Sequence, residues 1–237
     1  MNMKRCMLSA IMSAASSLVS LSCYSETVRT AADFQSNKKT LAYLNSPPVL
    51  ATLYRLGMDQ EKKFGVQSDC ASPLLLKPSS VSVVSTIDFP DDQQHPTKGV
   101  WYYRYRFERC GESKFYNALF IANANGEAPM VRAEPPGSTR ADPLLVRDAT
   151  FPLSLGALAR SGLKDCKDAE VFDMRVTEPP HDVGEGENTL KGVWKEVWTY
   201  RVCGQSVEVP VTFTPNPMRG GTLFFSESAK TRGATAK

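Results

Sequence analysis

Aromatic and β-branched residues alternate with polar ones through residues 98–111, K-G-V-W-Y-Y-R-Y-R-F-E-R-C-G, and again through 191–204, K-G-V-W-K-E-V-W-T-Y-R-V-C-G. A period of two in such residues predicts a strand in each stretch. Trp101, Tyr105 and Phe107 share one face of the first strand, and Trp194, Trp198 and Tyr200 share one face of the second. Both stretches open on Lys-Gly-Val-Trp, close on Cys-Gly and keep the same spacing from Trp to Cys. The match predicts an internal duplication.

The surrounding pattern repeats in the same order. Residues 26–45 are polar, with a weak helical spacing in Ala31, Phe34, Leu41 and Leu44. Ser46-Pro47-Pro48 reads as a helix start, with Val49, Leu50, Leu53 and Leu56 on one face, Gly57 as its end and a further turn over 61–66. Strands are predicted at 81–89, 99–110, 115–122 and 129–133, with a polar loop at 90–97 and a turn at 123–126. In the second half a helix is predicted from 150–152, with Phe151, Leu155 and Leu158 on one face and Gly162 as its cap. Strands follow at 170–177, 192–203, 207–213 and 222–225, with a polar loop at 178–190.

The predicted fold is α+β: two tandem homologous units, each a helix packed on an antiparallel sheet of about four strands with one disulfide. A β-sandwich with shorter helices is the alternative. The predicted boundaries are a signal peptide at 1–25, an N-terminal segment at 26–45, a first α+β repeat at 46–133, a linker at 134–141, a second α+β repeat at 142–226 and a disordered tail at 227–237.

Residues 1–25 carry Lys4 and Arg5 ahead of an apolar, small-residue run, which is the pattern of a secretory leader. That run is short and serine-rich beside the roughly 20 apolar residues a spanning helix needs, so no integral membrane span is expected. Cys23 is the residue a lipid anchor would use, although Ser20 stands where such a signal carries a large aliphatic. Removal of 1–25 takes two basic residues and no acidic one, and lowers the formal charge from +3 to +1. A near-neutral chain offers no broad attraction to nucleic acid, so no nucleic-acid partner is expected.

Four cysteines remain beyond the leader: Cys70, Cys110, Cys166 and Cys203. In each unit one precedes the first strand and one ends the second. Antiparallel pairing of those strands brings the two together, which predicts Cys70–Cys110 and Cys166–Cys203. Single, distant spacing is unlike the close pairs of structural zinc sites. With the leader, the disulfides predict a periplasmic or secreted protein.

Candidate chemistry is sparse. His95 and His181 both fall in the loops before the aromatic strands. Asp91 and Asp92 flank the first; Glu178, Asp182, Glu185 and Glu187 flank the second. Such a set would suit a metal-assisted hydrolase, against the plainer reading of solvated loops. The acidic, glycine-bearing stretch 182–187 lacks the ligand spacing of a calcium loop. Glu196, between Trp194 and Trp198, is a carboxylate on an apolar face, suited to catalysis or to a hydrogen-bonded place at a sheet rim. No nucleophile elbow, P-loop or dinucleotide fingerprint occurs, and no cofactor is expected. Tyr102, Arg104 and Arg106, on the other face of the first aromatic strand, form the candidate binding surface for a protein partner. The expected function is therefore a non-catalytic, extracytoplasmic protein that engages another macromolecule, with the hydrolase as the alternative.

Overall fold

The computed structural model describes residues 25–28, 33, 37–66, 72–186, 189–216 and 221–226. The predicted signal peptide, Cys23, Cys70, Glu187 and the predicted tail at 227–237 lie outside these, apart from Ser25.

The fold is α+β, with two antiparallel sheets and helices ahead of the main run of strands in each. The first holds β1 (Ser25–Val28), β2 (Leu75–Pro90), β3 (Lys98–Arg109), β4 (Glu112–Ile121) and β5 (Met130–Glu134), hydrogen-bonded in that order. The second holds β6 (Ala169–Val183), β7 (Leu190–Val202), β8 (Gln205–Asn216) and β9 (Gly221–Ser226), again in chain order. Helices α1 (Lys38–Leu44) and α2 (Pro47–Lys63) precede β2, and α3 (Pro143–Ser161) precedes β6. The chain divides into two compact units. One takes the described residues up to Arg55 with Pro78–Tyr103 and Ala118–Arg132; the other takes Leu56–Lys77, Arg104–Asn117 and the described residues from Ala133 onward.

The duplicated strands end in the same way. Cys110 and Gly111 have φ of 48° and 82°, and Cys203 and Gly204 have φ of 47° and 86°. Two consecutive residues at positive φ make the two-residue hairpin turn that matches strand twist. A cysteine pays strain there that glycine would not. In the second copy a disulfide offsets it: Cys166 and Cys203 are bonded, with Cα atoms 6.0 Å apart. Pairing of Ala169 with Val202 sets the two ends side by side. Cys110 is also disulfide-bonded, and the predicted Cys70–Cys110 pairing lies outside the described residues. Ahead of each turn, an aromatic stack recurs at a constant offset of 93 residues. Trp101 stacks on Phe120 with centroids 5.2 Å apart, and Trp194 on Phe213 at 4.9 Å.

Several elements differ from the sequence reading. Strand β1 falls in the segment read as weakly helical, and pairs with β2 from Ser25–Pro90 to Val28–Ile87. Helix α2 runs through Gly57 rather than ending there. The glycine is a packing residue: a Cβ at that position would meet Phe107 Cζ at 2.5 Å. Helix α3 starts at Pro143, well before 150, because the Asp142 side chain accepts from Leu144 N at 2.8 Å and Leu145 N at 2.9 Å. Pro152 sits inside it. The helix is held through the proline by its buried stripe of Val146, Ala149, Leu153 and Ala157, not by Phe151 and Leu155. That stripe packs with Val171, Met174, Trp198, Tyr200, Val209 and Phe213 in one core. Gly162 does cap it, at φ 69°. The outer strands β2 and β6 are much longer than their β-branched centres. Residues 178–183, read as loop, continue β6 through register shifts at Glu178 and His181.

Segment 134–141, polar and proline-rich, is packed. Gly137 N donates to Phe115 O at 2.9 Å, and Ser138 N to Met174 O at 2.7 Å. A Cβ on Gly137, at φ 111°, would lie 2.0 Å from Met174 N. Only glycine allows that approach.

Candidate functional site

Glu196 is a densely bonded side chain of the second sheet. Alternation along β7 sends Trp194, Glu196, Trp198 and Tyr200 to the face under α3. Glu196 is 0% exposed, so it lies in the core and not at a rim. Its Oε1 accepts from Trp194 Nε1 at 2.8 Å and Arg140 N at 2.9 Å. Its Oε2 accepts from Trp198 Nε1 at 2.8 Å. The Thr139 hydroxyl lies 2.9 Å and 2.7 Å from the two oxygens. Four neutral donors thus surround an acceptor-only group. Thr139 Oγ1 in turn accepts from Ala141 N at 2.9 Å. Bonds to a charged acceptor are about twice as strong as neutral ones, and this set ties segment 137–141 to β7. Sequence reading picked out Glu196 but missed Thr139 and Arg140, because loop composition carried no sign that Thr139 is buried or that the Arg140 N–H points at Glu196.

The predicted binding row on β3 is largely occupied within the protein. Tyr102 is 5% exposed. Arg104 Nε donates to Asn117 Oδ1 at 3.0 Å, and its Nη2 to Thr139 O at 3.1 Å. Arg106 is the accessible member, and its Nε pairs with Glu108 Oε1 at 2.8 Å.

Among the described residues, neither histidine joins a group of three or more side chains that could hold a metal ion. His95 Nδ1 lies 3.1 Å from Tyr43 OH, and its ring meets the Tyr43 ring edge-on. His181, on β6, has Nδ1 2.9 Å from Pro179 O and Nε2 3.8 Å from Glu178 Oε2. Glu178 also takes Lys195 Nζ at 2.9 Å. Asp182 Oδ1 accepts from Gly192 N at 3.0 Å.

Two surface features were not picked out as sites from sequence. On α3, Leu144, Phe151 and Leu155 are 53%, 69% and 51% exposed. Spacings of seven and four residues put them on one face, opposite the buried stripe. The second feature is a groove of 580 Å3 lined in part by Lys63, Phe64, Asp168, Glu170 and Arg201. Among the described residues, no helix is long and apolar enough to cross a membrane. Comparison with protein-family models, with curated proteins and with solved structures finds no match for this chain.

Proposed function

We propose that the chain is a non-catalytic protein of the periplasm or extracellular space that engages another protein. The exposed apolar face of α3 carries this reading. Leu144, Phe151 and Leu155 hold apolar area in water that a partner would bury, and while scattered exposed residues are common, three aligned on one helix face fit a docking surface. The Cys166–Cys203 bridge supports an oxidising compartment. Arg106, half-exposed beside Glu108, fits the polar rim of an interface better than its centre. Replacement of Phe151 and Leu155 together by Asp tests the reading. Partner recovery from an envelope or secreted fraction should fall by about tenfold or more, while the melting temperature holds. Equal recovery by the native chain and the folded variant would rule the α3 face out.

One contact favours a second reading, a metal-assisted hydrolase. Glu178 and His181 lie side by side on β6. That reading requires saturable binding of a divalent cation that His181→Ala abolishes, and absence of such binding removes it.

A further inference from the structure

Phe172, on β6, holds two cations. Lys114 Nζ lies 3.6 Å from its ring centroid and Arg201 Cζ 4.3 Å. Phe64 meets the same ring edge-on, with centroids 5.4 Å apart. Lys114 Nζ and Arg201 Nε are both buried without a hydrogen-bond partner among the described residues. Asp173 and Glu61 act on Lys114 through space. Glu61, however, is engaged by Arg109 Nη2 at 3.2 Å and by the Tyr116 hydroxyl at 3.0 Å. Burial of the ammonium lowers the Lys114 pKa from 10.5 to about 8. Buried charge is ordinarily paired, and here two cations share one ring with, among the described residues, no anion bonded to either.

The 580 Å3 groove opens on this cluster through Arg201 and Phe64. Of the two acids among its described lining residues, Glu170 is matched by Lys63 Nζ at 2.8 Å. Asp168 leaves one carboxylate in the groove, which disfavours a multiply charged anion such as phosphate. We propose that this groove is a binding site for a single carboxylate group, forked onto the Arg201 guanidinium, with the ligand's apolar body against Phe64. Guanidinium is the side chain whose planar donor pair matches a carboxylate. The carboxylate belongs to a small organic acid or to a peptide C-terminus. This site is independent of the α3 face and stands or falls separately.

The test is a 1H–15N NMR titration of the full, disulfide-bonded chain with benzoate, a tripeptide with a free C-terminus, the same tripeptide amidated, and inorganic phosphate. Benzoate, the free tripeptide or both should produce saturable shifts in the Arg201 Nε–H and in the amides of 63–65 and 203–204. The response of the two carboxylates tells which source the groove accepts. The amidated peptide should give none. Arg201→Gln should weaken binding by about tenfold or more. The comparison of free with amidated peptide needs only the native chain, so a poorly folded variant would not leave the question open. No saturable carboxylate binding, equal binding by a folded Arg201→Gln chain, or tighter binding of phosphate than of benzoate would each overturn the proposal.

Discussion

Strands β3 and β7 are the same frame filled in two ways. Both carry a Trp–Phe stack and both turn on a left-handed Cys followed by Gly. They part at the position between their large aromatics. In β7 that position is Glu196, and it satisfies the Nε1–H groups of Trp194 and Trp198 together. In β3 it is Tyr103, whose hydroxyl reaches Leu44 O at only 3.5 Å. Among the described residues, the Trp101 Nε1 and the Tyr105 hydroxyl are each buried without a hydrogen-bond partner. Burial also pushes the Tyr103 pKa up to about 12. The comparison teaches that aromatic stacking and turn geometry suffice to maintain the frame. The polar network is an addition of one copy, and what it secures is segment 137–141.

The largest effect should come from the staple. Replacing Cys166 and Cys203 with Ser opens a loop with a sequence separation of 37, and chain entropy assigns such a closure about 4 kcal/mol. Denaturant unfolding of the double variant measures it; a loss below about 1 kcal/mol would mean that the turn at Cys203 is held by β7–β8 pairing alone.

Next comes the divergent position itself. Glu196→Gln keeps shape but sets an amide NH2 against donors, and should cost about 3 kcal/mol. Tyr103→Phe removes one long hydrogen bond and should cost less than about 1 kcal/mol. Similar losses for the two substitutions would erase the distinction drawn between the copies.

The helical glycines give a third contrast. Gly57→Ala drives a methyl into the Phe107 ring, and overpacking of this kind costs about 2 kcal/mol. Gly156→Ala meets only Ser226 Oγ and Val209 Cγ1, both at 3.9 Å. It should be neutral or stabilise by up to about 1 kcal/mol through helix propensity. Thermal melts of the two single variants decide the sign.

The smallest effect concerns Lys114, which stands where the second copy has Val207. Its folded pKa of about 8 lies below its ordinary 10.5, chiefly through burial; Asp173 and Glu61 oppose the shift and Arg201 adds to it. Between these values the folded chain has lost a proton that the unfolded chain keeps, so stability should rise as pH rises from 8 toward 9.5. Lys114→Met should stabilise the chain at pH 7 by about 1 kcal/mol and flatten that rise. An unchanged slope would place the proton elsewhere.

Sequence periodicity revealed the elements whose burial is periodic. The aromatic strands, their Cys-Gly ends and the Cys166–Cys203 pair were readable because alternation and spacing encode them directly. Helix ends were less so. Gly57 reads as a helix end and Pro152 as part of a helix start, yet both lie inside helices, where Phe107 packing and the Val146–Ala157 stripe override those signals. Strand length was hidden as well, since β6 keeps pairing through Pro179, Pro180 and its bulges after alternation fades. The partners of Glu196 were the least legible part. Thr139 and Arg140 lie 57 and 56 residues away in a stretch whose composition matches a solvated linker.

Amide hydrogen exchange at Arg140 tests the central claim most directly, because that N–H donates to Glu196 Oε1. In the native chain it should exchange as slowly as the paired amides of β7, and Glu196→Gln should speed it by about a hundredfold or more, the fold-change of roughly 2.7 kcal/mol. Exchange at open-loop rates in the native chain, or protection that survives Glu196→Gln, would contradict the account.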